Sequence, residues 1–147
     1  MTYLDDRVLD QGLTILDTEA NRLDICSQEP ATYAEATSTY SLGRSTGLSI
    51  GSPVNRSPSG RRVVVASVID GVVTSTGTAT YWAIVDTVNS RLLAAGLLDN
   101  PASVTSGNGF ALDSFDVGIP DTPNFYLRDD GNSLYLRPDG SSRYVRP

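Results

Sequence analysis

The hydrophobic positions change period along the chain. From Thr2 to Leu23, Leu4, Val8, Leu9, Leu13, Leu16, Ala20 and Leu23 recur at the spacing of one helical stripe. This predicts an N-terminal amphipathic α-helix over residues 1–22. Thr2 would be its N-cap, and Asp5 and Asp6 would lie in the first turn, where negative charge meets the positive end of the helix dipole. At Leu23, Ile25 and Ser27 the period falls to two, as in a strand. Residues 28–43 are polar, with Pro30, Thr32 and an Ala-Glu-Ala run that fit one short helical turn. Beyond them the signals are β. Arg62 to Ile69 is rich in Val, Asp70-Gly71 is a hairpin-turn dipeptide, and Val72 to Ser75 leads back. Gly77 precedes the most strand-like segment, Thr78 to Asp86, and Asn89-Ser90 turns it into Arg91 to Leu98. Asn100-Pro101 and Gly107-Asn108-Gly109 then flank two more strands that end on Phe110, Leu112 and Phe115. Short strands at intervals of about 8–12 residues predict a mainly β fold, an antiparallel β-sandwich or jelly-roll-like domain over residues 23–118.

Residues 119–147 read as a linker, marked by Pro120 and Pro123, and a C-terminal arm built from an internal repeat. Tyr126-Leu127-Arg128-Asp129-Asp130-Gly131-Asn132-Ser133-Leu134 is followed by Tyr135-Leu136-Arg137-Pro138-Asp139-Gly140-Ser141-Ser142-Arg143 and a truncated Tyr144-Val145-Arg146-Pro147. Each unit offers a short strand and an Asp-Gly turn, which predicts a small β-meander. Strands this few are not stable alone, so the arm must pair either with its own sheet edge or with a neighbouring subunit. Tyr126, Tyr135 and Tyr144 are the candidate anchors, and Arg128, Arg137 and Arg146 the candidate pairing groups. The period resembles that of calcium-binding β-rolls, but the units lack paired glycines, and no metal is expected.

Composition narrows the chemistry. The 147 residues suit one domain with a core. There is no Lys and no His, so all 11 basic residues are Arg, against 14 Asp and 3 Glu, and the net charge is −6. Without His, a Ser-His-Asp or Cys-His mechanism is excluded within the chain, and a zinc site lacks its usual ligands. Ser and Thr total 31, in keeping with a turn-rich β protein. Cys26 has no partner for an internal disulfide and fits a small buried hydrophobe. An acidic N-terminus and the lack of a long apolar run predict a soluble chain made in the cytoplasm, with no membrane partner.

Charge is distributed unevenly. Ala36 to Ile69 holds no acid but contains Arg44, Arg56, Arg61 and Arg62, whereas Asp70 to Asn124 has six acids and one Arg. Two readings are open. The halves pair within the molecule, or the Arg residues contact identical subunits head to tail or another acidic protein, using the bidentate guanidinium fork. Nucleic acid fits less well, because the loop has no interleaved aromatics and no Lys. Tyr81 and Trp82 are adjacent in a strand and face opposite sides, so Trp82 reads as core packing and not as a sugar platform. Gly43, Gly47 and Gly51 lack the context of a phosphate loop. No catalytic constellation and no cofactor site emerges, and the chain is not expected to be an enzyme.

The stretch R-L-D-I-C-S-Q-E-P-A-T-Y-A-E-A-T-S-T-Y-S-L-G (Arg22 to Gly43) carries a resemblance, together with the later G-R-R-V-V-V-A-S-V-I-D-G-V-V-T-S-T-G-T-A-T-Y-W-A-I-V-D and R-L-L-A-A-G-L-L. Over roughly Leu4 to Val117 the chain resembles small virion structural proteins of tailed bacteriophages. The resemblance implies a β-sandwich of the head decoration (cement) or fibre-attachment type, located in the virion after assembly in the host cytoplasm. Its implied partners are the major capsid protein and copies of itself. A tail or baseplate role, and a carbohydrate-binding module for host attachment, are the alternatives. The nine-residue repeat lies outside the region of resemblance.

Overall fold

The computed structural model describes residues 3–4, 11–57, 60–120, 126–127 and 134–135, the three short pairs by their backbone. The described chain is mainly β, with antiparallel sheets. Its elements are β1 (Tyr3–Leu4), a helix (Thr14–Glu19), β2 (Arg22–Cys26), a π-helical turn (Glu35–Thr39), β3 (Ser41–Ser45), β4 (Val54–Asn55), β5 (Arg61–Val65), β6 (Val68–Val73), β7 (Gly77–Asp86), β8 (Arg91–Val104), β9 (Gly109–Leu112), β10 (Phe115–Ile119), β11 (Tyr126–Leu127) and β12 (Leu134–Tyr135). Seven strands form a sheet in the order β1-β8-β7-β2-β3-β6-β9, which curls as a half-barrel. Three more form a smaller sheet, β10-β5-β4, and β11 pairs with β12.

Alternation along the strands sorts side chains to two faces. Leu23 and Ile25 of β2, Trp82 and Ile84 of β7, and Leu93 of β8 enter one core with Val63, Val65 and Val117 of the small sheet and Leu13, Ile15 and Leu16 at the helix. Trp82 and Phe115 join the two sheets directly, their ring centroids 4.7 Å apart and tilted by 40°. Cys26, Ala83, Val85, Leu92 and Ala95 project to the opposite face, where Ala36 of the π-helical turn covers them. These covering and covered residues are mostly small, which lets a backbone segment lie close against the sheet. The turn itself starts with a reciprocal cap. The Glu35 carboxylate accepts from the Ala31 and Thr32 amides at 2.8 and 3.1 Å, and the Thr32 hydroxyl accepts from the Glu35 amide at 3.2 Å.

Three expectations about elements need correction. The stripe over residues 1–22 does not form one helix from Thr2, because Tyr3–Leu4 is a strand that pairs with Ala95 and Ala94 on the outer side of β8. The described helix is Thr14–Glu19, and it follows Gly12, whose φ of 72° is left-handed backbone that interrupts a right-handed helix. Residues 5–10 lie outside the described residues.

Asp70-Gly71 is not a hairpin turn either. Strand β6 runs through it, with a shift of register against β9 between Val68 and Gly71. The Phe110 ring occupies the space that a side chain at Gly71 would need, and a Cβ added at Gly43 would lie 3.2 Å from the same ring. One aromatic thus lies across two glycines on adjacent strands, and the missing side chains serve packing instead of a turn. Asp70 accepts a 2.6 Å hydrogen bond from the Ser45 hydroxyl.

The third correction concerns Asn100-Pro101, which does not end a strand. β8 continues to Val104, and its register against β7 jumps from Tyr81↔Leu97 to Ala79↔Ala102. Leu98 to Pro101 bulge opposite Thr80, and the bulge accommodates a proline that cannot donate to the ladder.

The packing of Phe110 yields a test. Gly71→Ala should destabilise the protein by about 1–3 kcal/mol in urea denaturation, because the added methyl must displace an aromatic ring. In the Phe110→Ala background the same substitution should cost much less.

Candidate functional site

The small sheet gathers three of the four arginines from the acid-free stretch. β5 pairs with β4 through Val54↔Arg62 and Asn55↔Arg61, and with β10 through Arg62↔Gly118 and Arg61↔Ile119. Val63 and Val65 point into the core, so Arg62 and Val64 take the outer face with Asp116 of β10. Arg62 forms an ion pair with Asp116. Both side chains are more than a third exposed, and such a pair contributes at most about 1 kcal/mol. Arg61 donates to the Asn55 side chain and, at 2.7 Å, to the Pro53 carbonyl. Exposed Arg56 lays its stem over Gly118, where an added Cβ would lie 3.0 Å from the Arg56 Cδ. Its side chain makes no hydrogen bond or ion pair among the described residues. The outer face is therefore a mixture of guanidinium groups and exposed valines, Val54 and Val64 among them.

Arg44 is elsewhere. It lies on β3 of the large sheet, opposite Asp24 of β2, and is exposed. Asp24 is fully buried and receives Arg22 through Nε–Oδ2 at 2.8 Å and Nη2–Oδ1 at 2.5 Å, with the Ser41 hydroxyl at 3.1 Å. Burial pushes the Asp24 carboxyl above its ordinary value of 3.8, against the bonds from Arg22 and Ser41 and the charges of Arg22 and Arg44. Nearby Cys26 is buried, and its thiol is pushed up to about 12 by burial and by the Asp24 charge. A thiol so raised carries almost no thiolate near neutral pH and is chemically inert. Asp86 is the contrary case. Burial opposes its charge, but bonds from the Asn89 side chain (2.7 Å) and the Val88 and Asn89 amides, with Arg91 nearby, hold its carboxyl below 3.8.

A cavity of about 350 Å³ opens at one end of the small sheet. Its floor is Trp82 and Phe115, and Asp99 and Asn100 of the β8 bulge and Asp113 and Ser114 before β10 stand around it. Nothing in the residue pattern marks this cavity. It exists because the bulge and the β9–β10 connection meet over an aromatic pair, and a bulge is visible only as broken pairing. The expected split of Tyr81 and Trp82 is found. Trp82 is 6% exposed in the main core, whereas Tyr81 packs on the opposite face. Among the described residues no group of three or more Cys, Asp or Glu side chains is arranged to hold a metal ion.

In the tail, Tyr126 pairs with Tyr135 and Leu127 with Leu134, so the first two repeat units share a two-stranded antiparallel ladder. Arg128, Arg137, Tyr144 and Arg146 lie outside the described residues, and Tyr126 and Tyr135 are described by backbone alone.

The two buried carboxylates predict opposite pH slopes. Asp86 stabilises the fold above the unfolded-state pKa, and that contribution is lost as pH falls through its lowered folded-state value. Asp24, with its pKa raised, favours the fold at acid pH and loses that contribution as pH rises through the raised value. Urea midpoints from about pH 3 to about pH 7 should therefore show the deficit of Asp86→Asn shrinking toward acid pH. Asp24→Asn removes a contribution that falls as pH rises, so its midpoint should gain on the parent's from acid toward neutral pH. Compared with protein-family models, curated proteins and solved structures, the chain finds no match in any of the three.

Proposed function

We propose that this chain is a virion structural protein of a tailed bacteriophage, a capsid decoration protein that binds the major capsid protein and neighbouring copies and so stabilises the head. The observation that carries this reading is the outer face of the small sheet. There Arg56 and Arg62 stand among exposed Val54 and Val64, on strands held rigidly by the fully buried Val63, Val65 and Val117. Apolar side chains interleaved with arginine suit contact with another protein, since arginine is enriched in such interfaces and pairs bidentately with carboxylates. The two sheets with their shared core act as the sandwich module, and the repeat arm reaches a neighbour. Each contact is modest, but many copies acting on one shell give avidity against the internal pressure of packaged DNA. The chain acts by burying surface and not by catalysis.

Deletion of the gene tests this reading. Heads should still assemble and adsorb to cells, but should release DNA at a lower temperature than the parent particles. Heat-stable heads with lost adsorption would overturn the proposal in favour of a fibre-attachment role. Particles unchanged in both respects would overturn it outright.

A further inference from the structure

We infer that the cavity over Trp82 and Phe115 is a receptor for an arginine side chain of a second copy of this chain, and that Arg56 is the side chain it receives. The inference rests on the self-contact in the reading above and deepens it by naming both halves of the contact. Among the described residues from 70 to 120, Asp70 accepts from Ser45, Asp86 from its own turn and Asp116 from Arg62. Asp99 and Asp113 are the two with no such partner among the described residues, and both line the cavity. Both residues are exposed, beside the apolar floor and the 57% exposed Leu97.

An arginine meets both demands. Its guanidinium pairs with a carboxylate, while its aliphatic stem covers apolar surface. A sugar fits less well, because Trp82 is only 6% exposed and offers little ring face for stacking. The chain itself supplies the complement. It has no Lys, and among the described arginines Arg22 is committed to Asp24, Arg62 to Asp116, Arg91 to Glu19 and Arg61 to Asn55 and Pro53, while exposed Arg44, on the large sheet, is drawn to Asp24 by charge alone. Arg56 is exposed and lies without a polar partner among the described residues.

The two sites do not face each other within one copy. Arg56 crosses the outer face of β10 at Gly118, whereas Phe115, the cavity residue three positions earlier, packs toward the core. Three residues of strand separate them by roughly 10 Å. Joining the Arg56 of one copy to the cavity of the next is therefore a head-to-tail contact that uses two different surfaces. Between them runs β10, an edge strand of its sheet with one side unpaired among the described strands.

The test uses the full chain and reads sedimentation velocity together with the emission of Trp82, the only Trp in the sequence. Self-association should rise with concentration, weaken with salt and shift Trp82 emission. Asp99→Asn/Asp113→Asn and Arg56→Gln should each weaken it by at least about tenfold without moving the urea midpoint. Because the contact is head to tail, an equimolar mixture of these two variants should form a one-to-one dimer that grows no further. A chain that stays monomeric at every concentration overturns the inference, as does association that survives either variant or a mixture that forms no dimer. A Trp82 response to oligosaccharides, lost in the Asp variant and unaccompanied by association, would assign the cavity to sugar and also overturn it. A monomeric chain that still binds and stabilises heads would overturn this inference alone and leave the decoration reading standing.

Discussion

Burial of the central strands on both faces is the constraint on which the rest of this structure depends. β2, β7 and β8 carry the main core on one face and the second cluster under residues 33–40 on the other. Residues 82–86 and 92–96 are consequently buried without a break, and small side chains are required wherever a covering segment comes close. The same constraint explains Asp24. A carboxylate in the middle of a doubly covered strand is stable only with Arg22 and Ser41 bonded to it, and leaving it unpaired would cost several kcal/mol. It also explains the register shift in β8 between Leu92 and Ala94, which turns both Leu93 and Ala94 toward the main core.

The small sheet exists to close that core, and its surface chemistry follows from this task. Once Val63, Val65 and Val117 are committed inward, period-two alternation obliges Arg62, Val64 and Asp116 to face outward. The arginine-bearing outer face is thus the other side of a packing solution. Of the two readings of the uneven charge, pairing within the molecule is found in part. Arg62 pairs within the molecule with Asp116, and Arg22 with Asp24, while Arg56 at one end of the small sheet and Asp99 and Asp113 at the other have no such partner among the described residues.

Much of the β architecture was legible in the residues, because alternation is a local signal. The Asn89-Ser90 turn, the burial of Cys26 and the opposite orientations of Tyr81 and Trp82 all follow from spacing within a few positions. What was not legible depended on partners far away in sequence. Gly71 fits half of a turn by sequence, but the Phe110 ring occupies its side-chain space, and Pro101 fits a strand end, but lies in the bulge opposite Thr80. Leu4 fitted a helical stripe, yet the open edge of β8 claimed its backbone. The arginines of the small sheet could be named from composition, but their grouping on one sheet and the removal of Arg44 to another came only from the strand pairing. The cavity had no sequence signal, since Asp99 belongs to the β8 bulge and Asp113 to the β9–β10 connection, far apart in sequence.

A reconstruction of the intact virion in which this chain is located tests the central claim most directly. The account predicts density for the fold on the outer surface of the head shell, repeated at the symmetry of the capsid lattice, with the small sheet against a neighbouring subunit. Density confined to the tail or baseplate, or none on the particle at all, would contradict it.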